Sequence, residues 1–203
     1  MTTTMTETWE RVCAALEARA PLSADCLRPP ATAAELDEAE GVIGVALPAQ
    51  LRELLLLSDG VEAQQAARLL PPFHMPMSIE RLTASWRMKV SIAGEGAGTG
   101  HEAGSPTQSF HRLFLPVGDD TTGDLFVVDM RPGRLHGCVL NWSNVDGHFG
   151  EPQWESFGFM WQDVALALEA SSGSDQDRAE DPHLTRNGCA AVYTAAGALE
   201  WEF

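Results

Sequence analysis

Residues 113–142 read LFLPVGDDTTGDLFVVDMRPGRLHGCVLNW, three short apolar runs separated by turns. The runs at 113–115, 125–128 and 138–140 are rich in Val, Leu and Phe, and each is bounded by turn-forming residues. That pattern predicts the strands of a buried sheet. Pro132 followed by Gly133 fixes one φ and permits a positive one beside it, which suits a chain reversal. The expected centre of the fold is an antiparallel meander. The earlier chain then serves as its cover, and function is to be sought on the turns and exposed face of the sheet.

On either side the apolar period lengthens to that of a helix. Thr4 with Glu7, and Thr32 with Glu35, have the spacing of capping boxes, in which each side chain satisfies an orphan backbone donor of the other. Trp9, Val12, Cys13 and Leu16 share a face after the first; Leu36, Ala39 and Ile43 share one after the second, with Gly44 as a left-handed stop. Pro48 suits the first turn of a third helix, carrying Leu51, Leu54, Leu55 and Leu57 and ending at Asp59-Gly60. Its four consecutive leucines are apolar nearly all round, so it is expected to be the most buried helix. Residues 68–76, with Leu69, Leu70 and Phe73 among prolines, read as an extended edge segment. Ser78 then caps a helix with Ile79, Leu82, Trp86 and Val90 on one face, and Ser156 opens another with Phe157, Trp161, Val164 and Leu168.

Two stretches lack a core-forming pattern. Residues 93–109 are glycine-rich and predict a flexible loop. Residues 171–182 (SSGSDQDRAEDP) read as a charged linker. Beyond it Leu199, Trp201 and Phe203 alternate with Glu200 and Glu202, a strand with one apolar face that residues 189–194 can pair with. An isolated hairpin is marginal in water, so this tail must dock on the core, on another copy or on a partner. The expected organisation is an N-terminal helix and loop (1–31), a main domain (32–170), the linker, and a docking tail (183–203).

Acidic side chains outnumber basic ones 29 to 13, a net charge of −16, and Lys89 is the only lysine. Nucleic acid is thereby disfavoured, because phosphate contacts need clustered Lys and Arg. The same balance keeps a protein soluble and favours a basic protein partner, whose association a complementary field speeds roughly 10–10³-fold. No apolar run is long enough to span a membrane, and the N-terminus has no basic region leading into an apolar stretch. A cytoplasmic protein is expected.

The segment ELDEAEGVIGVALP at 35–48, the leucine-rich helix after it and Asp59-Gly60 together resemble the opening of the SUKH superfamily. That group includes fungal cell-wall-assembly regulators and many bacterial toxin-immunity proteins. Its pattern is an acidic helix, a Gly, a Leu-Pro, a leucine-rich helix and a polar-Gly stop; Asp59 here stands where Asn is commoner. Residues 126–129, 137–142 and the helix opening at Ser156-Phe157 continue the similarity, which spans roughly residues 32–170. The resemblance implies an α+β fold, a mostly antiparallel sheet with helices packed against it, and a non-enzymatic protein-interaction role.

Searching for chemistry returns little. Asp119, Asp120, Asp124 and Asp129 crowd one region, but Thr121, Thr122 and Gly123 do not supply the alternating ligands of a calcium loop. A turn whose Asp side chains bond local backbone is the plainer reading, with an acidic, partner-facing patch as the other. His74, His101, His111, His136, His148 and His183 never take zinc-ligand spacing and read as surface residues. Cys13, Cys26, Cys138 and Cys189 form no CxxC pair, and read as reduced, small apolar side chains. His136 and Cys138 could share a strand face, yet no orienting group or oxyanion site can be read beside them. The glycines of 93–109 lack both the Rossmann spacing and the lysine of a P-loop. Neither a cofactor nor a metal is expected. In residues 141–154 (NWSNVDGHFGEPQW), Trp142, Phe149 and Trp154 lie in loop-like surroundings. Such aromatics either pack under their own loop or serve as interface hot spots.

The resulting expectation is an immunity protein that binds and occludes a basic, nuclease-type toxin. The candidate contacts are Asp119, Asp120, Asp124, Trp142, Asp146 and Trp154. The alternative is a regulatory scaffold of the cell-wall-regulator type without a toxin. Membrane is not expected as a partner, and the tail offers a route to a homodimer.

Overall fold

The computed structural model describes residues 3–98, 102–171 and 183–203. Of the linker read at 171–182, residues 172–182 lie outside the described residues, as does His101. Helix α1 (Met5–Arg19) starts at Thr4 and α3 (Ala33–Ile43) at Thr32, both through complete capping boxes. Gly44 closes α3 in the left-handed region at φ 80°. Between them lies a single turn, α2 (Pro21–Ala24). Helix α4 (Ala49–Leu55) follows Pro48, which stands at the cap, just before the first helical turn.

The sheet is the expected meander. Strand β1 (Met75–Pro76) is the edge segment read from 68–76, and β2 (Phe114–Asp119), β3 (Leu125–Asp129) and β4 (Val139–Trp142) follow in antiparallel order β1-β2-β3-β4. Between Pro116 and Gly118 the register of β2 against β3 shifts, the bend a proline in a strand favours. Nearly every residue of these strands is buried, so both faces are covered. One face meets α5 (Ile79–Ala93) and the segment at 102–110. There Phe110 stands edge-on to Phe114 and to Trp142, at 5.6 and 5.3 Å between ring centres. On the other face the Phe126 ring stacks on His74 and meets Trp154 edge-on. Helix α6 (Phe157–Ala170) lies on that side, and Trp161 packs edge-on to Trp9 of α1 at 5.1 Å.

Helix α6 is the most deeply buried, with Phe157, Met160, Trp161, Val164, Ala165, Ala167 and Leu168 all enclosed. Helix α4 is not, contrary to the leucine-run reading. At 100° per residue four consecutive leucines go round the whole helix, and α4 has core on one side only: Leu51, Leu54 and Leu55 are buried but Leu56 faces water.

The tail forms β5 (Ala190–Tyr193) and β6 (Leu199–Glu202), an antiparallel hairpin. It docks on the chain's own body, the first of the three alternatives. Leu22 N–H donates to Gly197 O, Leu199 N–H to Ser23 Oγ, the Trp201 indole to Arg68 O and the Tyr193 hydroxyl to Leu168 O. Phe203, at the end of the alternating pattern, stays 82% exposed beside Phe73. The glycine-rich stretch contains a short 3-10 turn (Gly94–Gly98) and is fastened on its far side. Ala103 N–H bonds Pro132 O, and Thr107 and His148 exchange backbone hydrogen bonds.

Candidate protein-binding site

The β2–β3 turn and the turn after β4 lie side by side at one end of the sheet, since Leu125 pairs with Trp142. The Asp120 carboxylate accepts the N–H groups of Thr122 and Asp124 and the Thr122 hydroxyl, at 2.8–3.1 Å. This is the local Asx-type turn expected of such a residue. Burial alone would raise the pKa of Asp120, but these donors and nearby His74 outweigh it and hold it below the usual carboxylate range. Asp124 Oδ1 accepts Asn144 N–H at 2.8 Å, which ties the two turns together. From beneath, Lys89 of α5 donates to Gly123 O and Asn144 Oδ1, its Nζ 4.5 Å from the Trp142 ring centre. Desolvation lowers the Lys89 pKa, and Asp124 partly offsets that.

Of the six candidate contacts, the structure gathers the four aspartates at this end. Asp119 is held by Arg81 of α5 at 2.6 Å, and Asp120 and Asp124 are half-buried in the turn. Asp146, in the neighbouring turn, is exposed. The two tryptophans are a correction. Trp142 is 5% exposed and Trp154 only 1%, its indole N–H donating to Asp163 Oδ2 at 2.8 Å. Both pack under their own loops and present no ring to a partner. The exposed groups of this region are instead Val145 (87%) and Phe149 (59%), with Glu151 beside them. Phe149 lay inside the aromatic loop read from the sequence, but alternation and spacing cannot tell which loop aromatic faces outward.

Asp129 belongs elsewhere. At the opposite end of the sheet it forms a fully buried pair with Arg131, Nη2 to Oδ2 at 2.8 Å, and accepts Gly104 N–H at 2.8 Å. Three of the histidines read as surface residues, His74, His111 and His148, are buried. Imidazole is apolar enough across its faces to stack on an aromatic ring, as His74 does on Phe126 at 3.9 Å. His136 is exposed and Cys138 buried, because β4 begins only at Val139 and strand alternation does not reach them. Burial pushes the Cys138 thiol up to about 12 and Cys13 to about 11, so neither is poised as a thiolate. Among the described residues no group of three or more His, Cys, Asp or Glu could hold a metal ion, and no helix is long and apolar enough to cross a membrane.

The block at 35–60 has a structural explanation. Asp59 is buried, and its Oδ1 accepts Ile79 N–H at 2.7 Å, so the polar-Gly stop of one helix caps the first turn of α5. Gly60, at φ 67°, lies so close to Met77 and Ser78 that a Cβ would sit 2.5 Å from their backbone. A model of the SMI1/KNR4 family (SUKH-1) matches residues 30–160, well over half of the chain. The chain belongs to the SMI1/KNR4 (SUKH-1) family. No curated protein matched it in a sequence search. SUKH-1 membership makes this an α+β, non-enzymatic protein-interaction domain of the toxin-immunity-associated type. In this SUKH-1 domain, the turn end of the sheet brings the exposed Asp146 and Glu151 together with the exposed Val145 and Phe149.

Proposed function

We propose that this SUKH-1 domain is an immunity protein that neutralises a basic, nuclease-type toxin by covering it with the acidic turn end of its sheet. The observation that carries the reading is how the few cations are used. Arg11, Arg28, Arg52, Arg81, Arg131 and Arg186 are each paired with a carboxylate of the same chain, and Lys89 is buried, which leaves few exposed cations such as Arg87, Arg112 and Arg134. With 29 acids against 13 bases in the chain, the excess negative charge is left on the surface. Asp146 and Glu151 are exposed beside Phe149 and Val145, the mixture of apolar anchor and charged rim that protein interfaces use.

Occlusion requires no chemistry from the immunity protein, only affinity and steric cover. Isothermal titration of the full chain against a basic nuclease domain encoded beside its gene tests this. Affinity is expected to fall by about tenfold or more as salt rises from roughly 0.05 to 0.5 M, because screening shortens the reach of the acidic field. Absence of binding, or binding indifferent to salt, would remove the proposal.

A further inference from the structure

Helices α3 and α5 leave between them a groove of about 420 Å³, lined by residues 35–42 of one and 79–87 of the other. At 1.5 Å of rise per residue its walls run roughly 10–12 Å, about two turns of a helix laid along them. The apolar lining is Ala39, Val42, Ile79 and Ala84. Alanine at both 39 and 84 keeps the walls low, so a third helix can approach closely. The Thr83 hydroxyl, also in the lining, donates to Ile79 O at 2.8 Å and makes no demand on an occupant.

The charged residues along this groove are ones the fold leaves uncompensated. Of the four acids on α3, Asp37 and Glu40 are paired with Arg52 at 2.6 and 3.3 Å, and neither lines the groove. Glu35 and Glu38 do line it, as do Glu80 and Arg87 of α5, and among the described residues none of the four makes an ion pair. They are also sorted along its length. Burial raises the pKa of Asp59, which caps the first turn of α5, and the nearby Glu35 charge adds to the rise. Glu35 therefore stands at the same end as Glu80, with Glu38 one turn along α3, whereas Arg87 lies two turns further along α5. The groove is acidic at one end, apolar in the middle and basic at the other. A second copy of this chain is a poor occupant, because each copy carries a net charge of −16 and the two repel.

We propose that the groove between α3 and α5 docks an amphipathic helix of a protein partner, its apolar stripe against Ala39, Val42 and Ala84, its Lys or Arg beside Glu35, Glu38 and Glu80, and a carboxylate facing Arg87. Burying the apolar face of such a helix supplies affinity, and the charges at the two ends set its direction. This surface is apart from the turn end of the sheet, toward which α5 directs Arg81 and Lys89, and it does not depend on the partner there being a toxin.

The full chain, labelled with nitrogen-15, is titrated by NMR with a capped, alanine-based helical peptide bearing one leucine stripe, lysines at one end and glutamate at the other. Saturable shifts are expected at the amides of residues 35–42 and 79–87. Replacing the leucines by glutamine, or the lysines by glutamate, should weaken the response at least threefold. Ala84 and Glu38 are exposed, so Ala84→Trp, which fills the groove, and Glu38→Lys should both keep a cooperative melt by circular dichroism while weakening the response at least threefold. The peptide with glutamate in place of lysine should recover part of its binding on Glu38→Lys. No saturation, shifts centred on residues 120–124 and 144–147, or a response that survives Ala84→Trp would each overturn the assignment. A dimer in sedimentation that Ala84→Trp abolishes would give the groove to a second copy and overturn it as well.

Discussion

His74 shows what a single residue does to the acid stability of this molecule. It is 4% exposed, stacked on Phe126, and neither ring nitrogen has a hydrogen-bond partner among the described residues. Desolvation pushes its pKa down to about 4, against the opposing pull of Asp120 and Asp124. The unfolded chain keeps the ordinary value of about 6.5. Between those two values the unfolded state therefore binds a proton that the folded state refuses, and stability falls as pH drops from about 6.5 toward 4. The full difference corresponds to about 3 kcal/mol. Urea melts at pH 7 and near pH 4.5 should show that loss, and His74→Phe, which keeps the stacked ring, should lose correspondingly less. Equal losses in the two proteins would mean that His74 is not the source. None of this was legible in the sequence, where a histidine between Phe73 and Met75 has no spacing that reports burial. Asp59 was partly legible: its place before Gly60 marked a helix end, but its bond to Ile79 N–H joins residues 20 positions apart, which no local pattern carries.

Elements were easier to read where their signals are local. The capping boxes at Thr4 and Thr32, the Gly44 stop, the Ser78 and Ser156 caps and the three meander strands all follow from neighbours within a few residues. What the pattern missed are the long-range fastenings between elements, and the foremost runs from the buried Asp129–Arg131 pair to residues 104 and 105. Both side chains are at most 1% exposed. The pair links β3 to the segment at 102–105 through Gly104 N–H and through Arg131 Nη2 to Ser105 O, with the guanidinium 4.9 Å from the Phe114 ring centre. Removing one partner strands a buried charge, which typically costs about 3–5 kcal/mol. Asp129→Ala should therefore destabilise the fold by about that amount in chemical melts. Exchange of the Gly104 amide with deuterium should also quicken, because its acceptor is gone. A loss below about 1 kcal/mol would place the pair among ordinary surface ion pairs and overturn this account.

At the scale of the whole molecule the hydrophobic core extends beyond the family match. The match ends at residue 160, one position before Trp161, whose ring meets Trp9 of α1. Beyond that point α6 is held on one side by α1, with Arg11 paired to Glu169 at 2.6 Å and Arg19 donating to Leu168 O. On the other side it meets the hairpin, whose Tyr193 hydroxyl bonds the same Leu168 carbonyl while the Arg19 guanidinium lies 4.7 Å from the Tyr193 ring centre. Trp9, Val12, Leu16, Trp161, Val164, Leu168, Tyr193 and Trp201 all belong to the one continuous core. A chain cut to residues 30–160 would lose each of these and bare the faces they cover. Burial of one large apolar side chain is worth about 1.5–3 kcal/mol, and the net stability of a domain is only about 5–15 kcal/mol. Losing eight such side chains, about 12–24 kcal/mol together, is enough to consume that margin. The full chain should melt in a single transition followed by circular dichroism, and the 30–160 fragment should show none. A cooperative melt from the fragment would mean that α1 and the tail are appendages, and that the sheet with α3, α4 and α5 stabilises itself.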